Sequence, residues 1–237
     1  MEISLLMPVF NEAHRLEESV KKVVSASEKI SKNYEILLLE DGSTDGTDII
    51  AKQLSAANDR VKFFHNDQRL GKGGAIKRGV EMASSEIIVT LDSDLSLDMS
   101  FLKSLVDFAR GGDICIASRY VKGSRVKRSF SRDVASRVYN FLVRFLFNSK
   151  IRDHQSGFKS FNKEKVKKII KNVENNGFIF DAELLIRAQK NGLKIREIPV
   201  SWKEDKRPGS FNFKKDSLIM AIELFRFWLK ERNRLKF

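Results

Sequence analysis

Apolar and polar positions along the first hundred residues fall into blocks with two different periods. Short aliphatic runs at residues 3 to 9, 34 to 39, 61 to 65 and 87 to 91 are separated by stretches in which apolar side chains recur every three or four positions. Runs of that length and composition read as buried strands, and the stretches between them read as amphipathic helices. The pattern predicts a helix from Asn11-Glu12 to about Ile30, a second from about Asp48 to Ala57, and a third that opens at Gly71-Lys72-Gly73-Gly74 and reaches about Ala83. Strand, helix, strand, helix at this spacing implies an α/β fold: a mostly parallel central sheet with helices on both faces, whose ligands lie beyond the carboxyl ends of the strands.

The polar residues that interrupt the pattern gather on that edge. The fourth apolar run ends in Asp92-Ser93-Asp94, and side chains two apart on an extended backbone point to the same side, so the two carboxylates converge. Such a pair suits Mg²⁺ or Mn²⁺, which is held by one or two carboxylates together with substrate phosphates. An Asp-Ser-Asp triplet also suits a turn that closes a strand. Asp41 ends the second strand and is followed by Gly42, Ser43 and Gly46, as a strand-to-helix loop requires. Gly71-Lys72-Gly73-Gly74 lacks P-loop spacing; it either cradles phosphate through backbone N–H groups and Lys72 or lets the helix pack closely on the sheet.

Beyond Asp94 the character changes. A helix from about Met99 to Ala109 and a strand from Asp113 to Ser118 lead to Arg119-Tyr120 and then to five cations, Lys122, Arg125, Lys127, Arg128 and Arg132, which form an anion-binding or simply solvated loop. The helix from about Arg132 to Asn148 carries a polar stripe of Arg137, Asn140, Arg144 and Asn148, and its apolar arc is wider than a surface helix needs. It is expected either to be wholly buried or to lie in a membrane interface with its cations at headgroup level. A C-terminal helix repeats the pattern, with Glu223, Arg226, Lys230 and Arg234 on one stripe and Lys230, Arg232, Arg234 and Lys236 crowding its end. Between the two lie a helix from Lys163 to about Asn172, a helical segment at 178 to 189 with Asp181 as its expected N-cap, and a strand from Ile195 to Trp202 that leads to a basic loop at 203 to 207.

Composition narrows the classes. With 237 residues, 42% of them apolar, the chain can bury a full core. Lys and Arg number 44 against 31 Asp and Glu, a formal charge of +13 that favours phosphate-bearing partners. The single Cys115 sits in an apolar run and excludes an internal disulfide, and His14, His65 and His154 lack zinc-ligand spacing. No signal peptide is recognisable at the N-terminus, and no apolar run approaches the roughly 20 residues that span a bilayer. A basic nucleic-acid binder fits the charge but shows no recognition motif.

Taken in order, Pro8-Val9-Phe10-Asn11-Glu12, Glu40-Asp41-Gly42-Ser43-Thr44-Asp45, Gly71-Lys72-Gly73, Asp92-Ser93-Asp94, Gln155-Ser156-Gly157-Phe158-Lys159 and Phe180-Asp181-Ala182-Glu183-Leu184-Leu185 resemble the inverting family 2 glycosyltransferases of GT-A (Rossmann-like) fold, over nearly the whole chain. Within that family the likeness is to the polyprenyl-phosphate sugar synthases: dolichyl-phosphate β-glucosyltransferase and, close to it, dolichol-phosphate mannose synthase. The resemblance implies a nucleotide-sugar half at 1–117, an acceptor half at 118–212 and an amphipathic helix at 213–237, all within one structural domain. It assigns Pro8, Val9, Phe10, Asn11, Glu12, Asp41, Gly42, Ser43, Lys72, Gly73, Asp92 and Ser93 to the nucleotide, and Asp92 and Asp94 to the metal, Mg²⁺ or Mn²⁺. Arg119, Arg125, Arg128, Gln155, Ser156 and Lys159 fall to the acceptor phosphate, with Arg119, Asp153 and Asp181 as catalytic candidates, either carboxylate orienting the acceptor or acting as base. The implied partners are UDP-glucose or GDP-mannose, a polyprenyl (dolichyl) phosphate and a membrane surface at its cytoplasmic face, without nucleic acid. Glu40 stands where many members have Asp, Ser156 replaces a frequent Cys, and the spanning segments of many relatives have no counterpart in this sequence. A membrane-associated scaffold without catalytic activity is the contrasting possibility.

Overall fold

The computed structural model describes residues 2–205, 207 and 213–234. At its centre runs β4 (Ile87–Thr90), the strand that leads into Asp92 and Asp94. To one side lie β1 (Ile3–Val9), β2 (Tyr34–Glu40) and β3 (Val61–His65), all parallel, and every residue of β2 is buried. To the other side lie β7 (Lys159–Asn162), antiparallel to both its neighbours, then β5 (Ile114–Ser118) and β8 (Ile195–Pro199), giving the order β3-β2-β1-β4-β7-β5-β8. This is the expected α/β sheet with one antiparallel strand set into it.

Helices cover both faces. On one, α1 (Leu16–Glu28), α2 (Thr47–Ala57) and α4 (Leu102–Gly111) bury Leu16, Val20, Ala51, Leu105 and Val106 against Leu5, Met7, Ile36 and Val89. On the other, α3 (Lys72–Met82), α6 (Lys163–Asn172) and α7 (Phe180–Lys190) pack Ile76, Val80, Ile170 and Leu184 against Leu6, Leu37, Ile88 and Ile116. A third cluster joins α7 to α5 (Phe130–Phe147) and α8 (Phe213–Arg234), where the rings of Phe147 and Phe227 lie 4.8 Å apart.

Four local expectations are corrected. The strand expected from 195 to 202 breaks at Val200, and its second part, β9 (Ser201–Lys203), pairs in a separate two-stranded sheet with β6 (Arg125–Lys127), which the sequence presented only as part of a cationic loop. β7 was not anticipated, because Lys159-Ser160-Phe161-Asn162 has neither the length nor the apolar content of a buried strand. Its polar members are matched instead: Ser160 Oγ donates to the Leu105 carbonyl at 2.6 Å, and Lys159 meets a carboxylate described below. Asp181 is not an N-cap; it lies inside the first turn of α7, whose cap position is Ile179. Finally, α5 is not wholly buried. Ser136, Tyr139, Asn140, Val143 and Phe147 face inward, so Asn140 leaves the supposed polar stripe, while Phe141 and Phe145 stay 64% and 75% exposed. In α8, Leu218 and Phe225 are likewise open. Lys206, Lys236 and the side chain of Arg234 lie outside the described residues.

Candidate functional site

The carboxyl ends of β1, β2 and β4 open into a cleft of about 1110 Å³. Of the residues assigned to the nucleotide, Pro8, Val9, Phe10, Glu12, Asp41, Lys72, Asp92 and Ser93 line it, and so does Asp94. Asn11, Gly42, Ser43 and Gly73 do not; they build the walls. The Asn11 N–H donates to Ser43 Oγ at 2.9 Å, and the Thr44 N–H donates to Asn11 Oδ1 at 2.9 Å, which fastens the loop after β1 to the loop after β2. Buried Glu40 braces the same loop, accepting from the Ser43 N–H and from His65 Nδ1, each at 2.5 Å. Asp41 accepts from the N–H groups of Leu70 and Gly71 at 2.7 and 2.8 Å and so holds the approach to α3. Gly73 lies so close to Phe180 that a Cβ there would meet it at 2.6 Å. The glycines of this motif thus serve close packing, and Lys72 is the part that reaches the cleft.

Sequence reasoning missed several residues of the cleft. Arg69 spreads its guanidinium 3.7 Å from the centre of the Phe10 ring, a cation–π stack in the cleft wall. Arg15, buried, pairs with Glu12 and reaches Asp205 Oδ2 at 3.1 Å, and Arg207 joins Glu18 at 3.0 Å, so the segment after β9 is clasped to α1. Charge alone could not have flagged these, since the contact between Arg15 and Asp205 spans 190 positions.

Asp92 and Asp94 both face the cleft, but from a turn beyond the end of β4, closed by the Leu95 N–H donating to the Asp92 carbonyl at 3.2 Å, rather than from an extended strand. Asp92 Oδ1 takes the Lys72 ammonium at 2.7 Å, and Asp94 accepts from Ser96 N–H at 3.1 Å and Ser96 Oγ at 2.7 Å. Burial and the neighbouring Asp92 raise the carboxyl of Asp94 above its ordinary range, as expected of two acids crowded with too little positive charge. Behind Asp92 stands Gly157: a Cβ there would lie 1.9 Å from Asp92 Oδ2, so only glycine leaves that carboxylate its position. Thr90 Oγ1 donates to the Gly157 carbonyl at 2.7 Å and fixes the approach. The two carboxylate side chains on the cleft, with room for phosphate beside them, are a donor set that fits Mg²⁺ or Mn²⁺. Among the described residues no third acidic, His or Cys ligand joins them.

The residues assigned to the acceptor divide. Arg119 and Asp153 form a fork: Nε and Nη2 donate to the two carboxylate oxygens at 2.8 and 2.7 Å, and the Arg119 N–H adds a third bond at 2.9 Å. Burial pushes the Asp153 carboxyl up, but Arg119 outweighs it and holds the group below the usual range. With both oxygens filled, Asp153 orients Arg119. Arg119 and Arg128 stand 5.7 and 5.2 Å from the Trp202 ring, and Nε and Nη1 of Arg128 are buried without a hydrogen-bond partner among the described residues. Gln155 and Ser156 are engaged, the first accepting from Ser136 Oγ at 2.5 Å and the second donating to the Ala117 carbonyl at 2.7 Å, and Arg125 lies exposed on β6. Lys159 is inaccessible to an acceptor: its ammonium is buried 2.5 Å from Asp181 Oδ1. Asp181 takes Lys72 on its other oxygen at 3.0 Å. Burial raises its carboxyl, and the two lysines overcome this and hold it low.

His154, in the same segment, is buried between Asn140 Oδ1, 3.1 Å from Nδ1, and Ser149 Oγ, 2.9 Å from Nε2. Burial lowers its pKa from 6.5 to about 4, so the folded protein keeps it neutral. The unfolded chain binds the proton first on acidification, and stability is therefore present above pH 6.5 and lost as pH falls toward 4. Urea melts from pH 7 to 4.5 are expected to show a loss approaching about 3 kcal/mol, with a shallower slope in His154→Gln.

This sheet, with its cleft beyond the strands and one antiparallel strand between β4 and β5, is the GT-A glycosyltransferase fold. The structure superposes on glucosyl-3-phosphoglycerate synthase from Mycobacterium tuberculosis, solved with Mn²⁺, UDP-glucose and phosphoglyceric acid, with a TM-score of 0.70 at 19% identity, covering 94% of this chain and 77% of that one. Residues 4–170 match the model of glycosyl transferase family 2, and the chain belongs to that family. It is 38% identical over 232 residues to glycosyltransferase AglD of Haloferax volcanii, covering 96% of this chain but 37% of that protein. It is 32% identical to the polyprenol monophosphomannose synthase of Mycolicibacterium smegmatis, covering 84% and 77%. With the dolichyl-phosphate β-glucosyltransferase of Dictyostelium discoideum it shares 30%, covering 85% and 66%. The chain thus spans little more than a third of AglD and about two thirds of the Dictyostelium protein.

Proposed function

We propose that this chain is an inverting glycosyltransferase that moves glucose from UDP-glucose to a polyprenyl phosphate, with a divalent cation, at the cytoplasmic face of a membrane. The observation that carries the reading is the cleft of nucleotide size on which Asp92 and Asp94 open, with Arg119 close enough to feel the charge of Asp92 and standing with Arg128 beside Trp202. Relatives named for transfer to dolichyl phosphate and to polyprenol support the acceptor class.

The chemistry follows from the charges. Attack by a phosphate oxygen on the anomeric carbon forms the new O–C bond while the bond to the nucleoside diphosphate breaks on the opposite side, which inverts the centre. A phosphate monoester with a second pKa of about 6 is already anionic at neutral pH and needs no base. That agrees with carboxylates of Asp153 and Asp181 that are wholly engaged with cations. Asp153 holds the guanidinium plane of Arg119, and the remaining Nη1 of Arg119, with Arg128, would position the acceptor phosphate. A divalent cation held by Asp92 and Asp94 would neutralise charge that accumulates on the departing diphosphate. Lys72 adds a further positive charge from the cleft wall.

The acceptor's chain has a surface to lie on. Phe130, Phe141 and Phe145 of α5 and Leu218, Ile222 and Phe225 of α8 are exposed, and Ile219 continues this apolar face into the cleft itself. Arg137, Arg144, Arg226 and Lys230 edge it with positive charge. An apolar face bordered by cations suits the interface of an anionic membrane. No helix among the described residues is long and apolar enough to cross one.

The test is a transfer assay with a short polyprenyl phosphate and labelled UDP-glucose or GDP-mannose, with and without chelator. Labelled glucosyl lipid that disappears on chelation is the expected result. Mannosyl lipid alone would move the donor to GDP-mannose, as the kinship to the mannose synthase allows, and no lipid product from either donor would overturn the reading.

A further inference from the structure

Two lysines meet Asp181, and they are not equivalent. Lys159 is 1% exposed and locked at 2.5 Å, whereas the Lys72 side chain is 23% exposed, lines the cleft and divides its ammonium between Asp181 at 3.0 Å and Asp92 at 2.7 Å. Asp92 is one of the two carboxylates to which the cation is assigned above. A divalent ion arriving there meets an ammonium on the same oxygen, and the two positive charges oppose each other at close range. A diphosphate entering the cleft offers that ammonium another anion. The Lys72 backbone opens α3 and is held in place, since the Gly73 N–H next to it donates to the Asn176 carbonyl at 2.8 Å, so only the side chain need turn.

We infer that Lys72 is an exchangeable counter-ion. It neutralises Asp92 while the donor site is empty, yields Asp92 when cation and diphosphate enter together, and then pairs with the diphosphate while Asp181 keeps its ammonium at the cleft wall. Asp181, braced from behind by Lys159, is the positioning residue for this exchange. Cation and nucleotide therefore bind as a pair, and the cation alone binds weakly. The inference rests on the reading of Asp92 and Asp94 as cation ligands.

Manganese binding followed by electron paramagnetic resonance tests it without any turnover. Mn²⁺ is titrated into the wild type, Lys72→Met, Lys72→Gln and Lys72→Arg, each alone and then with UDP or GDP. Loss of the opposing charge is expected to tighten binding of Mn²⁺ alone by about tenfold in Lys72→Met and Lys72→Gln. Lys72→Arg restores the weak binding, and the gain that nucleotide gives the wild type shrinks in the two neutral variants. Should the neutral variants bind Mn²⁺ alone no tighter than the wild type, while all bind it with nucleotide, the counter-ion role is wrong and the cation site stands. If the wild type fails to bind Mn²⁺ even with UDP or GDP, both readings fall. Near-ultraviolet circular dichroism on each variant establishes that it is folded, and two neutral substitutions of different shape keep the comparison open if one is not.

Discussion

Asp92→Ala is expected to lower the rate of sugar transfer by about 10³-fold while leaving the fold intact, because it removes the carboxylate around which charge on the leaving diphosphate is to be balanced. The structural cost is small. Asp92 is about one third exposed, and its partner Lys72 keeps Asp181 at 3.0 Å when Asp92 is gone. Thermal melts of the variant should therefore lie close to those of the wild type, and that combination separates a lost catalytic contact from a lost structure. Unchanged transfer in Asp92→Ala and in Asp94→Ala would instead favour a scaffold whose GT-A fold has no catalytic use.

The second large effect runs the other way. Asp181→Ala should destabilise the protein by about 3–5 kcal/mol, since deleting one member of a buried pair leaves the other charge uncompensated. Lys159, 1% exposed, would lose the carboxylate that lies 2.5 Å from its ammonium. Set against a total of about 5–15 kcal/mol for a typical domain, this threatens folding itself. The stranded ammonium would have a depressed pKa in the folded state, so the unfolded chain would hold its proton more tightly and the variant's stability should rise toward alkaline pH. Urea midpoints measured from pH 7 to 10 would show this as a gap to the wild type that narrows as pH rises. Asp181→Asn should lose less, its carbonyl oxygen still accepting from one lysine.

The sequence made the cleft beyond β1, β2 and β4 legible because its signals are local. Four apolar runs and the loops that end them lie within the first 94 residues, and the topological rule that ligands gather beyond parallel strands was enough to bring Asp41, Lys72, Asp92 and Asp94 to one edge. The residues assigned to the acceptor were read less well, for a physical reason. Their geometry depends on polar residues that only tertiary contacts bury: Lys159 on an inserted strand, Asn140 turned inward to His154, and Asp153 committed to Arg119. Counting cations in the segment 122 to 132 could not tell Arg128, packed by Trp202, from Arg125, exposed on a strand. Helical periodicity likewise found the apolar arc of α5 but could not say which part of it the core would use.

β7 sets a limit on how the molecule can work. It is hydrogen-bonded on one side to the strand that leads into Asp92 and on the other to the strand that leads into Arg119, with Lys159 in register with both Thr90 and Ile116. The two strands that lead to the carboxylates and to the guanidinium thus belong to one continuous sheet rather than to two hinged bodies. Beyond that sheet the cleft is lined by Asp205 and Arg207, which Arg15 and Glu18 clasp. In the proposed transfer, the lipid phosphate and the nucleotide sugar would then meet across a single β7 residue, Lys159, whose backbone is paired with both strands.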